Sequence, residues 1–117
     1  MRAPGNLPSV DGRRFAAVAD TVGGEVGPET VFTYHEADGE IWAEYAGGKV
    51  RRGYLVGTRD GGTLRFRYAQ LNASGETSTG RCRSQLTVDE RGRLRLDQTW
   101  HWESQPGSGI SSVTELD

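Results

Sequence analysis

Apolar and polar residues alternate in short runs along most of this chain, and a glycine-bearing turn signal interrupts them at hairpin spacing. The turns read Asp38-Gly39, Gly47-Gly48, Asp60-Gly61-Gly62, Ser74-Gly75, Arg91-Gly92 and Pro106-Gly107. No stretch repeats its apolar positions at the helical period. Period-two runs joined by such turns describe an antiparallel meander. They predict strands over 12–19, 29–36, 40–46, 49–58, 63–72, 76–88, 93–103 and 109–116. A meander of eight strands closes into an up-and-down barrel, because closure removes the exposed edges. Residues 12–117 are read as that single barrel domain. Residues 1–11, with Pro4, Gly5 and Pro8 and no periodicity, read as a flexible N-terminal tail. The segment 22–28 reads as a long loop or a bulged strand, since Pro28 has no place in a central ladder.

Two turns fix a register. With Asp38-Gly39 as a two-residue type I′ turn, Glu36 faces Ile41, Tyr34 faces Ala43 and Phe32 faces Tyr45. With Gly47-Gly48 as the next turn, Tyr45 faces Val50, Ala43 faces Arg52 and Ile41 faces Tyr54. One face then collects Phe32, Tyr34, Ile41, Ala43, Tyr45, Val50, Tyr54 and Val56, with Arg52 as its one charge. The other face gains a Glu44–Arg51 pair and Trp42 over Gly53. Further along, Leu64, Phe66, Tyr68 and Gln70 oppose Arg65 and Arg67. Leu94, Leu96, Gln98, Trp100 and Trp102 oppose Arg93, Arg95, Asp97 and His101. Strand 76–88 allows two phases, with either Gly80, Cys82, Ser84 and Leu86 inward or Thr79, Arg81 and Arg83 inward. The first keeps two arginines hydrated.

Composition changes this picture in one respect. Leu, Ile, Val and Phe are scarce, the net charge is only -2, and Tyr and Trp take the aliphatic places. Such an interior is partly polar, as in a barrel around a ligand. Charge is also segregated: residues 15–48 hold seven acids and no Lys or Arg, whereas residues 49–95 hold eleven bases against four acids. The single cysteine, Cys82, excludes an internal disulfide. Residues 1–14 lack the apolar core of a secretory signal, and no run is apolar enough to cross a membrane as a helix. A cytoplasmic location is the expectation.

The inward positions carry the candidate chemistry. Tyr34, Tyr54, Tyr68, Trp100 and Trp102 form aromatic walls, Gln70, Ser84 and Gln98 supply hydrogen bonds, and Arg52 supplies a charge. Aromatic walls with a few polar groups are the composition of a small-molecule site, although eight strands also suit a barrel filled by its own side chains. His35 and His101 fall on distant strands and outward faces, so no metal site is expected. Cys82 lacks a histidine to activate it and reads as a small buried hydrophobe. The outward arginines read as a solvated surface without an aromatic platform, so no nucleic-acid partner is expected.

The strings Thr30-Val31-Phe32-Thr33-Tyr34-His35, Ile41-Trp42-Ala43-Glu44-Tyr45-Ala46-Gly47-Gly48 and Gly53-Tyr54-Leu55-Val56-Gly57 resemble a family of short bacterial proteins. So do Thr79-Gly80-Arg81-Cys82-Arg83-Ser84, Gly92-Arg93-Leu94-Arg95-Leu96 and the Trp100/Trp102 pair. Members are often labelled N-acetylglutamate synthase. The resemblance covers about residues 12–116 and implies no particular catalytic residue. An acetyl-CoA transferase of the usual type needs a glycine-rich turn that opens a helix, and no glycine cluster here precedes a helical segment. The expectation is therefore an all-β, eight-stranded antiparallel barrel of the lipocalin or avidin kind that binds a small apolar or aromatic molecule without a cofactor. A small barrel enzyme of cyclase or isomerase type using the same cavity is the alternative. An oligomerising module, joined through its acidic and basic flanks as a homo-oligomer, is the second.

Overall fold

The computed structural model describes residues 7–116. Eight strands follow one another around a closed antiparallel barrel: β1 (Arg14–Ala17), β2 (Val31–Ala37), β3 (Glu40–Gly47), β4 (Val50–Asp60), β5 (Thr63–Asn72), β6 (Thr77–Val88), β7 (Leu94–Trp102) and β8 (Ser108–Glu115). The meander expected from the turns is present throughout. Closure comes from β1, which pairs with β2 through Phe15 and Phe32 and with β8 through Phe15 and Glu115.

The Asp38-Gly39 turn has φ of 53° and 79° at its two residues, the left-handed pair that a type I′ hairpin requires. The register that it sets is the expected one, with Phe32 opposite Tyr45, Tyr34 opposite Ala43 and Glu36 opposite Ile41. The second hairpin differs. Gly47 pairs with Val50, so Gly48 and Lys49 form the turn, and the register shifts between Tyr45 and Gly47 and again between Val50 and Arg52. Such bulges add a residue to one strand and reverse which face the following side chains take. Tyr45 therefore lies opposite Gly53, and Ala43 opposite Leu55. Gly53 and Leu55 point inward, while Arg51, Arg52, Tyr54 and Val56 point to solvent. Glu44 bonds His35 at 2.6 Å instead of meeting Arg51, and Trp42 lies opposite Val56 instead of Gly53. Gly47 takes φ 125° with its backbone against the Glu29 carbonyl, where any side chain would collide.

Strand β6 adopts the first of its two phases. Cys82, Ser84 and Leu86 are buried, and the arginines alternate outward. Arg65 stands opposite Arg83, and Arg67 opposite Arg81, on the outer face of β5 and β6. The core runs the length of the barrel through Phe15, Phe32, Tyr34, Ile41, Leu64, Leu86, Leu94, Leu96 and Val113.

Part of the expected tail is packed. Residues 1–6 lie outside the described residues, but Val10 is fully buried and Leu7 packs on the core. The Glu36 carboxylate accepts from the Val10 backbone N–H at 3.0 Å, and Arg59 bonds Glu36 at 2.8 Å and the Pro8 carbonyl at 2.9 Å. Arg59 also donates to the Gly61 carbonyl at 2.8 Å. Apolar Leu7 and Val10 thus close the barrel end that carries the β2–β3 and β4–β5 turns. No helix among the described residues is long and apolar enough to cross a membrane.

Candidate functional site

At the opposite end the long β1–β2 connection, residues 18–30, folds across the mouth. Its backbone is bonded to itself, Thr21 N to Val26 O at 3.0 Å, Gly24 N to Thr21 O at 3.1 Å and Thr30 N to Gly27 O at 2.9 Å. Buried Thr30 ties the loop to the barrel, since its hydroxyl donates to the Gly47 carbonyl at 3.0 Å and accepts from Gly27 N at 3.1 Å. The Trp102 indole N–H donates to the Gly23 carbonyl at 3.1 Å.

Beneath this loop is a cavity of about 50 Å³. Phe66, Tyr68, Trp100 and Trp102 line one side, Phe32, Tyr45 and Leu55 the other. Gln70, Gln98, Ser111 and Cys82 add polar atoms, and Thr21, Gly24, Glu25 and Val26 form the roof. The aromatic rings are interlocked: Phe32 stacks on Tyr45 at 4.5 Å, and Trp102 meets Tyr68 and Trp100 edge-on at 5.8 Å and 5.6 Å.

Three inward glycines make room for these rings. A side chain at Gly53 would strike the Tyr45 ring, one at Gly80 the Tyr68 ring, and one at Gly109 the Trp100 indole. Glycine inside a strand ordinarily weakens it, and is kept where another group approaches closely. Each of these three lets a flat ring lie against backbone, so the cavity walls are written into β4, β6 and β8 as well as into the aromatic residues themselves.

A line of hydrogen bonds runs from the interior to the loop. The Tyr45 hydroxyl donates to Gln70 Oε1 at 2.9 Å, and Gln70 Nε2 donates to Glu25 Oε1 at 2.9 Å. Asn72 Nδ2 donates to the other Glu25 oxygen at 2.8 Å. Ser111 donates to Gln98 Oε1 at 3.1 Å. Burial holds the Tyr45 and Tyr68 hydroxyls well above the usual tyrosine range and pushes the Cys82 thiol up to about 12. At neutral pH these three groups are protonated, and the Cys82 thiol lies 3.7 Å from the Ser84 hydroxyl. The Trp100 indole N–H and the Thr21 hydroxyl, both of residues lining the cavity, are buried without a protein partner.

A family model described as avidin-like protein matches residues 8–116. The chain belongs to the avidin-like family. The closed eight-stranded antiparallel barrel is the architecture expected from the turns, and the avidin-like family gives it a ligand-binding fold. No curated protein matches the chain.

Five of the expected site residues, Tyr68, Gln70, Gln98, Trp100 and Trp102, meet in the cavity of this avidin-like barrel. Tyr34 and Ser84 are fully buried but do not line it; Tyr34 packs edge-on to Phe15 at 5.3 Å. Arg52 and Tyr54 were expected inward and are outward, because the β3–β4 turn is displaced and β4 is bulged. Tyr54 is 57% exposed beside Trp42 and Val56. The site residues not anticipated are those of the roof, Thr21, Gly24, Glu25 and Val26. Val26, an apolar residue isolated in a glycine-rich stretch, was the available signal.

Proposed function

We propose that this protein is a small-molecule carrier or sensor whose ligand is held in the cavity under the β1–β2 loop, with its ring against Tyr68, Trp100 and Trp102. The observation that supports this reading most directly is the unpartnered N–H of Trp100. That donor belongs to a residue lining the cavity, and a hydrogen bond to it is worth about 0.5–1.5 kcal/mol. Thr21, in the roof of the same cavity, is unpartnered too. A ligand that brings an acceptor to them gains those hydrogen bonds on binding.

Tyr45, Tyr68 and Cys82 stay protonated near neutral pH. In that state they can donate hydrogen bonds but not abstract protons, which favours holding a ligand over the cyclase or isomerase alternative. Acetyl transfer has no support, since no helix exists among the described residues to receive a pyrophosphate.

The test is tryptophan fluorescence against a panel of aromatic compounds, followed by calorimetry on Trp100→Phe. That substitution keeps a ring over Gly109 and removes the N–H. Affinity should fall about tenfold, equivalent to roughly 1.4 kcal/mol, while the unfolding midpoint stays level or rises because the orphan donor is gone. Unchanged affinity in Trp100→Phe, or a panel without a single binder, overturns the reading.

A further inference from the structure

The roof of the cavity is held down by a carboxylate. Glu25 presents both oxygens to two side-chain amides, Gln70 Nε2 at 2.9 Å and Asn72 Nδ2 at 2.8 Å. Each amide is fixed from behind. Gln70 Oε1 accepts from the Tyr45 hydroxyl at 2.9 Å. Asn72 Oδ1 accepts from the backbone N–H groups of Ser74 and Glu76, both at 2.9 Å. Those rear bonds determine which end of each amide faces the mouth, because a reversed amide would set its oxygen against the carboxylate. The barrel therefore carries a pre-oriented pair of N–H₂ donors directed at one carboxylate, with every part except the carboxylate supplied by β3, β5 and the β5–β6 turn.

That carboxylate comes from the one long loop of the structure, between Gly23-Gly24 and Gly27. With the loop in place the cavity is about 50 Å³, room for a few waters and far below the roughly 300–1,000 Å³ of ordinary small-molecule sites. An aromatic ligand therefore enters only as Glu25 leaves. Its departure frees two donors that are matched to an anion. Asn72 Nδ2 also donates to Glu76 Oε1 at 3.1 Å, so a second negative charge stands at the rim. Exchange of one carboxylate for another leaves the charge balance there unaltered.

We propose, on the footing of the binding function above, that the ligand is an aromatic carboxylic acid whose carboxylate takes the Gln70–Asn72 donor pair, and that Glu25 is its built-in competitor. The loop residue mimics the ligand's polar end and keeps the empty mouth shut. The apparent affinity of the wild-type protein is then reduced by the small fraction of molecules in which Glu25 is out.

Calorimetry with 2-naphthoate, the neutral isostere 2-naphthamide and the cation 2-naphthylmethylamine tests this on wild type, Glu25→Ala and the double variant Glu25→Ala/Gln70→Glu. Glu25→Ala should bind both naphthoate and naphthamide at least about tenfold more tightly than wild type, because both need Glu25 out, and should hold the acid more tightly than the amide. The added Gln70→Glu change keeps an acceptor for the Tyr45 hydroxyl but removes the donor, and should abolish the preference for the acid while amide binding persists. Circular dichroism confirms that each variant is folded. Equal affinity for acid and amide in Glu25→Ala, or naphthoate binding no tighter in Glu25→Ala than in wild type, overturns the carboxylate inference and leaves the binding function standing. Tighter binding of the amine to wild type than to Glu25→Ala also overturns it, since Glu25 would then be a partner of the ligand. Failure of all three probes to bind folded Glu25→Ala overturns both.

Discussion

A single methyl group added at Gly53 should cost this protein about 0.5–4 kcal/mol, although alanine is ordinarily the better strand residue of the two. The methyl carbon would lie 2.6 Å from Tyr45 Cδ2 and closer still to Cε2 and Cζ. Carbon atoms rest about 3.5–4.0 Å apart, so the ring must retreat by roughly 1 Å. It has nowhere to go. Phe32 stacks on it at 4.5 Å, and its hydroxyl is bonded to Gln70 at 2.9 Å. Overpacking of this kind costs about 1–3 kcal/mol, and loss of the Tyr45–Gln70 hydrogen bond adds about 0.5–1.5. Gly53 does not have a positive φ, so backbone strain contributes nothing, and the smaller entropy of the unfolded alanine chain offsets about 0.4–1 kcal/mol. Urea unfolding followed by circular dichroism measures the change. The decisive comparison is a cycle with Tyr45→Leu, which takes away the ring that the methyl meets. Gly53→Ala should be nearly harmless in that background, giving a coupling above about 1 kcal/mol. Additive effects, or a Gly53→Ala midpoint equal to wild type, would refute the account of how the ring is seated.

Two further outcomes follow from the barrel interior and its closed end. Arg59→Met should destabilise by about 2–4 kcal/mol, because the Arg59 side chain is 7% exposed and its loss leaves Glu36 without its countercharge. Limited proteolysis should then cut around Leu7–Val10, and adding Glu36→Gln should restore part of the stability; a protease-resistant variant with an unshifted midpoint sinks the prediction. Stability should also fall at alkaline pH. The Cys82 thiol is raised by burial from 9.0 to about 12, and burial raises Tyr34, Tyr45 and Tyr68 as well. The unfolded chain therefore releases these protons first, so the stabilisation is complete below pH 9 and declines as pH rises towards 12. Cys82→Ala should flatten the onset of that decline. A urea midpoint independent of pH between about 8 and 11 would contradict it.

The β2–β3 hairpin was legible to the residue because Asp38-Gly39 admits one turn geometry and the geometry dictates the pairing. At Gly47-Gly48 the same logic misleads. Gly47 is needed for its φ of 125° and its contact with the Glu29 carbonyl, not as the first residue of the turn. Local sequence does not distinguish a glycine kept for a turn from one kept for a tertiary approach, and the error carried Arg52 and Tyr54 to the wrong face. Beyond the bulges, plain alternation was sufficient, which is why Tyr68, Gln70, Gln98, Trp100 and Trp102 were read on the face that lines the cavity. Glu25 was out of reach for a different reason. Its role comes from Gln70 and Asn72, more than forty positions away, and nothing in the run around it announces those partners. Val10 is the same case in apolar form, a single hydrophobe whose burial is decided by Glu36 and Arg59.

Barrel closure rests on the shortest strand. β1 has four residues, yet it pairs Phe15 with Phe32 on one side and with Glu115 on the other. Every other strand pairing joins neighbours along the chain and can form as a hairpin ribbon, apart from β1 with β2 across its long loop. The Phe15–Glu115 join closes a loop some ten times longer than a hairpin, at an added entropic cost of about 2 kcal/mol. Long-range pairing of this sort forms late. The order of assembly is then a ribbon from β2 to β8 first and a seam last. Because β1 leads directly into the loop that carries Glu25, the binding cavity acquires its roof only when that seam is made.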